Sequence, residues 1–199
     1  DALFGQSGMG GGFDTHTFDR KGADHETELA LTLEEAFEGA TKSITIAGTG
    51  ARPRTLNVRV PKGVTTGQRI RLPAQGGAGA GRGERGDLYA VVQLLPHPLF
   101  TAEGRDIHLV LPIAPWEAAL GASVKVPTLG GPVDLRVPKG ARPEQKLRLK
   151  GRGLPGTPPG DQLVTLQVVA PPATTAKAEE LYRELAAALD FDPRAKLGV

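Results

Sequence analysis

Arg59-Val60-Pro61-Lys62-Gly63 recurs without change as Arg136-Val137-Pro138-Lys139-Gly140. Three further landmarks keep the same order around each copy. Upstream, Glu35-Ala36-Phe37-Glu38-Gly39-Ala40 answers to Glu117-Ala118-Ala119-Leu120-Gly121-Ala122. Downstream, Gln68-Arg69-Ile70-Arg71-Leu72 answers to Gln145-Lys146-Leu147-Arg148-Leu149. Gly86-Asp87 and Gly160-Asp161 then open the last strand of each copy. A shared order of this kind marks an internal duplication. The chain holds two copies of one module.

Each copy reads as strand, broken by Gly and Pro turns. Leu29, Leu31 and Leu33 alternate with smaller or polar residues, which predicts a strand with one apolar face. Thr32 with Glu35 is a capping-box pair and Gly39 a C-terminal cap, so one or two helical turns fit between them. Further strands are expected at 42–46, 55–60, 69–72 and 87–94. In the second copy they fall near 107–113, 123–126, 133–137, 146–149 and 162–169, with Pro115 where its short helix would begin. The expected fold is mainly β: two tandem homologous β-sandwich-like domains, each with a short helix, plus a C-terminal helix. The expected boundaries are a linker over 1–24, domains over 25–98 and 99–173, and a helix with its tail over 174–199.

Residues 1–24 are Gly-rich, with Phe4, Phe13 and Phe18 as isolated apolar points, and read as a flexible linker. His16 and His25 have no partner at metal-ligand spacing and read as solvated. A start at Asp1, not Met, suggests a fragment of a longer protein. At the other end, Ala178, Leu181, Tyr182, Leu185 and Leu189 share one helix face, with Glu179 and Glu180 in the first turn. A helix of about 15 residues is marginal alone in water, so this stripe must pack on something. The second module and a second copy of the chain are both open as its partner.

The composition limits the chemistry. With 199 residues, 39% hydrophobic and 23% charged, the chain reads as soluble and globular, and 27 Gly with 17 Pro make it rich in turns. It has no Cys, which excludes disulfides, a thiol nucleophile and Cys-ligated metal, and fits a reducing, cytoplasmic setting. No run approaches the roughly 18–20 apolar residues of a membrane helix. Net charge is only +2, yet residues 52–86 hold eight bases against Glu84 alone. A basic stretch can attract nucleic acid, but the alternation in Arg69-Ile70-Arg71-Leu72 reads as the solvated face of a strand.

No catalytic site emerges. The glycine run at 76–83 leads into a strand instead of a helix, so it reads as a long flexible turn and not a phosphate cradle. His97-Pro98 reads as a packed or turn-forming element, and adjacent Glu34 and Glu35 make a poor acid/base pair. The expectation is no enzyme, no metal and no cofactor. What remains is a binding surface, because an apolar edge strand offers unpaired backbone to an extended peptide. Ile44 and Ile46 are expected on one face of strand 42–46, opposite Lys42 and Thr45, as either groove or core.

Beyond the doubled motif, residues 31–44 (LTLEEAFEGATKSI), 86–93 (GDLYAVVQ), 97–100 (HPLF) and 147–155 (LRLKGRGLP) complete a pattern over essentially the whole chain. It resembles the C-terminal substrate-binding region of DnaJ-type (J-domain) co-chaperones of the class without a zinc-binding domain. Where the zinc-containing class carries a Cys-rich insert, this chain has only Ala47-Gly48-Thr49-Gly50-Ala51-Arg52-Pro53. The His-Pro-Asp loop of a J-domain is also absent from this sequence. The resemblance implies a homodimer joined by the C-terminal helix through Leu181, Tyr182, Leu185 and Leu189. It implies an apolar peptide groove in the first module, carried onto Leu29, Ile44, Ile46, Ala90 and Val92. Lys42 matches a basic position that some relatives use to hold an acidic chaperone tail.

The expected partners are therefore unfolded polypeptide clients, a DnaK-type chaperone and a second copy, in protein folding and the stress response. Two other readings stand beside this one. Some relatives without the zinc domain bind DNA, although few aromatic residues are available here to stack on bases. A purely structural module would ignore unfolded protein altogether.

Overall fold

The computed structural model describes residues 19–46 and 53–195. Most of the expected linker, including Phe4, Phe13, Phe18 and His16, lies outside them, as do residues 47–52 at the site of the missing zinc insert. The elements run β1 (His25–Leu31), α1 (Leu33–Glu38), β2 (Ala40–Ile46), β3 (Arg54–Val60), β4 (Arg69–Leu72) and β5 (Leu88–Leu94). Then come β6 (Phe100–Glu103), β7 (Asp106–Ile113), α2 (Pro115–Leu120), β8 (Ala122–Val126), β9 (Val133–Val137), β10 (Lys146–Leu149), β11 (Gln162–Val168) and α3 (Ala176–Ala188).

The duplication is repeated in the topology. In the first copy β1-β5-β4 form one sheet and β2-β3 another; in the second, β10-β11-β7 and β8-β9 do the same. The chain is mainly β, as the sequence predicts, with two short helices and a longer one at the C-terminus. Of the described residues, those up to Ile107 together with Lys150–Asp161 make one compact unit, and His108–Leu149 with those from Gln162 onward make the other.

The repeated landmarks are the joints of each copy. Gly63, at φ 77°, donates its amide to the Ala36 carbonyl of α1 at 2.7 Å. In the second copy Gly140, at φ 73°, donates to Ala119 at 3.3 Å, and Ala141 to Ala118 at 2.9 Å. The Val-Pro-Lys-Gly turn thus satisfies helix carbonyls that would otherwise lack partners. Thr32 caps α1 in a full capping box with Glu35. At α2 Ala114 has no side-chain acceptor, and only Glu117 returns to the Ala114 amide, at 2.8 Å.

The Gly-Asp pair is a second joint. The Asp87 carboxylate accepts the Ala74 amide at 3.0 Å and the Arg71 guanidinium at 2.7 Å, while the Asp87 amide donates to Asp24 at 2.7 Å. Asp161 accepts the Gly151 amide at 2.6 Å, and its own amide donates to Asp106 at 2.8 Å. The aspartate pins the turn that follows β4 or β10.

Three local expectations change. Leu33 leaves the strand alternation and begins α1, where it stays 2% exposed because the helix turns that residue into the same core. Residues 19–24, expected in the linker, are bonded to the glycine-rich turn. Arg20 and Ala80 exchange amide–carbonyl bonds, Gly22 donates to Glu84, and Gly77 donates to Ala23. These glycines permit backbone to lie against backbone: a Cβ on Gly86 would sit 2.1 Å from the Ala23 carbonyl oxygen. Finally, Phe100–Glu103 forms β6, a strand outside those expected from alternation. His97 does form a turn there, its Nδ1 accepting the Leu99 and Phe100 amides at 3.1 and 3.0 Å.

Candidate functional site

β2 pairs only with β3, antiparallel, so its other edge carries no strand among the described residues. The two-residue period of a strand puts alternate side chains on one face. Ala40, Lys42, Ile44 and Ile46 are all half-buried, and Thr41, Ser43 and Thr45 are exposed. Lys42 therefore shares the face of Ile44 and Ile46, not the opposite one, and the expected Lys42–Thr45 grouping is corrected. Across the pair, Ile44 meets Leu56 and Lys42 meets Val58.

Leu29, Ala90 and Val92 are placed differently. Leu29 and Val92 are register partners in the parallel β1–β5 pair, and Ala90 lies two residues before Val92. Their exposures are 1%, 0% and 0%, so no peptide touches them in this arrangement. They are core residues of the β1–β5 pair. β1 is itself the outer strand of its sheet.

Lys42 is already engaged. Its ammonium donates to both Glu35 oxygens, at 2.6 and 2.9 Å. That contact, followed by the Thr32 amide, holds the Glu35 carboxyl below its ordinary range. One carboxylate thus caps α1 and fixes a cation beside Ile44.

The second unit carries a separate apolar feature. Nothing on α3 is buried, and Leu181, Leu185 and Leu189 are 52%, 50% and 56% exposed. With Tyr182, whose hydroxyl donates to the Pro171 carbonyl at 2.6 Å, they line a cavity of about 710 Å³. Its other wall is Pro115, Trp116, Ala119 and Leu120 of α2. Sequence reasoning missed Trp116 and Leu120. The signal lay in the repeat itself, since the equivalent positions of α1 are Glu34 and Glu38.

The family model described as DnaJ C terminal domain matches residues 25–171. The chain belongs to the DnaJ C-terminal domain family. It is 46% identical over 206 residues to a Curved DNA-binding protein of Coxiella burnetii (strain RSA 493 / Nine Mile phase I), covering 99% of this chain and 66% of that one. Proteins of the same description from Pseudomonas putida (strain KT2440) and Salmonella arizonae are 44% and 42% identical. They match 88% and 99% of this chain and 58% and 67% of their own lengths. The chain thus spans about two-thirds of the curated relatives it matches.

The DnaJ C-terminal match covers both copies of the module and stops before α3. The apolar stripe of α3 faces α2 from outside the matched span. Among the described residues no group of His, Asp or Glu is placed to hold a metal, and no helix is long and apolar enough to cross a membrane.

Proposed function

We propose that this DnaJ C-terminal region binds unfolded or misfolded polypeptide in extended form along β2 and holds it for a DnaK-type chaperone. The observation that carries the reading is the open edge of β2. It combines unpaired backbone groups with an accessible apolar row, Ile44 and Ile46, lying beside the engaged Lys42. Main-chain pairing supplies affinity that ignores client sequence, while alternate side chains supply a modest apolar preference. Leu29, Ala90 and Val92 are buried core and do not touch the client. Lys42 binds an acidic chaperone tail only by exchanging it for Glu35.

The working unit in this proposal is a cytoplasmic homodimer joined through Leu181, Tyr182, Leu185 and Leu189. Support comes from exposure: the groove between α2 and α3 of one chain leaves Trp116, Leu120, Leu181, Leu185 and Leu189 at least half exposed, where the equivalents of Trp116 and Leu120 in α1 are Glu34 and Glu38. That change turns a polar helix face apolar only where α3 lies opposite it. Two shallow edges on one dimer then bind a long chain by effective concentration.

A second reading is DNA association, which the description of the relatives favours. The two readings separate by salt. Saturable binding of a labelled, permanently unfolded polypeptide that survives moderate salt supports the β2 edge. Binding that salt abolishes indicates charge as the driver, since counterion release dominates such contacts.

A further inference from the structure

The two copies differ in charge on the outer face of their larger sheets. In the first copy every base on that face has its acid. Arg69 pairs with Glu26 and lies 4.6 Å over the Tyr89 ring, and Arg71 pairs with Asp87 at 2.7 Å. Glu28 adds another negative group on β1.

In the second copy the equivalents of Glu26 and Glu28 are His108 and Val110, and the equivalent of Tyr89 is Leu163. Arg69 becomes Lys146, which faces Thr165 across β10–β11. The turn that enters the strand also changes. The Thr65 amide donates to the Gln68 side chain at 3.3 Å, and the matching amide, donating to Gln145 at 3.0 Å, is that of Arg142. Arg142 and Lys146 are exposed and make no ion pair among the described residues.

A solvated strand face does not require this asymmetry, because the first copy keeps the same fold with its bases neutralised. We propose that the outer face of the second unit, centred on Arg142 and Lys146, receives the phosphate backbone of duplex DNA. The inference rests on the DNA reading above and assigns it a place. The contact is sequence-independent: the face presents no recognition helix, and Leu163 and Thr165 offer no aromatic ring for bases.

The test is fluorescence polarisation of a short labelled DNA duplex, titrated with this chain between about 50 and 200 mM salt. Replacing both Arg142→Ala and Lys146→Ala is expected to reduce the slope of log affinity against log salt by about 2, close to one unit per lost phosphate contact. Lys146→Arg keeps the slope. Removing the neutral pair, Glu26→Ala with Arg69→Ala, also leaves it unchanged. An unchanged slope in the Arg142/Lys146 variant, or an equal fall in the Glu26/Arg69 variant, overturns the placement while DNA binding itself stands. Failure of the unmodified chain to bind the duplex at the lowest salt overturns the DNA reading and this proposal together.

Discussion

The Gly63 amide meets the Ala36 carbonyl at 2.7 Å, and the same glycine lies against Pro155, where a Cβ would fall 1.8 Å from the carbonyl oxygen. Its counterpart Gly140 has a similar φ of 73° but open space where a Cβ would go. Left-handed backbone costs an L side chain about 1–2 kcal/mol, which is the loss expected for Gly140→Ala. Gly63→Ala adds backbone overpacking and is expected to lose at least about 1 kcal/mol more. Urea denaturation midpoints of the two variants check the difference, and equal losses would remove Pro155 from the account.

Asp87 makes the first unit sensitive to acid. The Ala74 amide, then the Arg71 guanidinium, hold its carboxyl below the ordinary value. A folded-state pKa below the unfolded one contributes stability above the unfolded value, and that stability is lost as pH falls through the folded one. Asp87→Asn should lower the melting temperature near neutrality and flatten the decline on the acid side. Thermal melts from neutral to acidic pH check this, and an unchanged acid limb would place the sensitivity elsewhere.

Much of the fold was legible because the duplication supplied each assignment twice. The Thr32–Glu35 capping box and Gly39 marked both ends of the first short helix, Pro115 marked the start of the second, and strand alternation located most of the rest. The candidate site was less legible. Alternation identifies an apolar face but not whether another layer covers it, so Leu29 and Val92 read like Ile44 although only Ile44 retains exposure. Trp116 and Leu120 escaped notice for a related reason: landmarks of a repeat draw attention to what is shared, and these positions matter through their divergence.

The contrast between buried core and half-buried edge can be measured. Leu29→Ala opens a cavity at a fully buried position and is expected to cost about 2–5 kcal/mol. Ile46→Ser, on the half-buried face of β2, should change stability by less than Leu29→Ala and weaken client binding instead. Chemical denaturation and polypeptide binding, run on both variants, separate the roles. A larger stability loss for Ile46→Ser would make β2 ordinary core.

Self-association should depend on α3 without depending on the fold of either unit. Leu185→Asp removes one apolar wall of the α2–α3 cavity, and no residue of α3 is buried. Sedimentation velocity is expected to show the unmodified chain as a dimer and Leu185→Asp shifted to monomer, with circular dichroism largely retained. A monomeric unmodified chain would contradict the proposed joint, as would a Leu185→Asp dimer of undiminished stability.

The most direct measurement compares the unmodified chain with Ile44→Asp in fluorescence anisotropy of a labelled, permanently unfolded polypeptide, with thermal melts confirming that both are folded. The account predicts saturable binding by the unmodified chain that persists at moderate salt and is at least tenfold weaker in Ile44→Asp, a difference of about 1.4 kcal/mol. Equal affinity for the two folded proteins would contradict it.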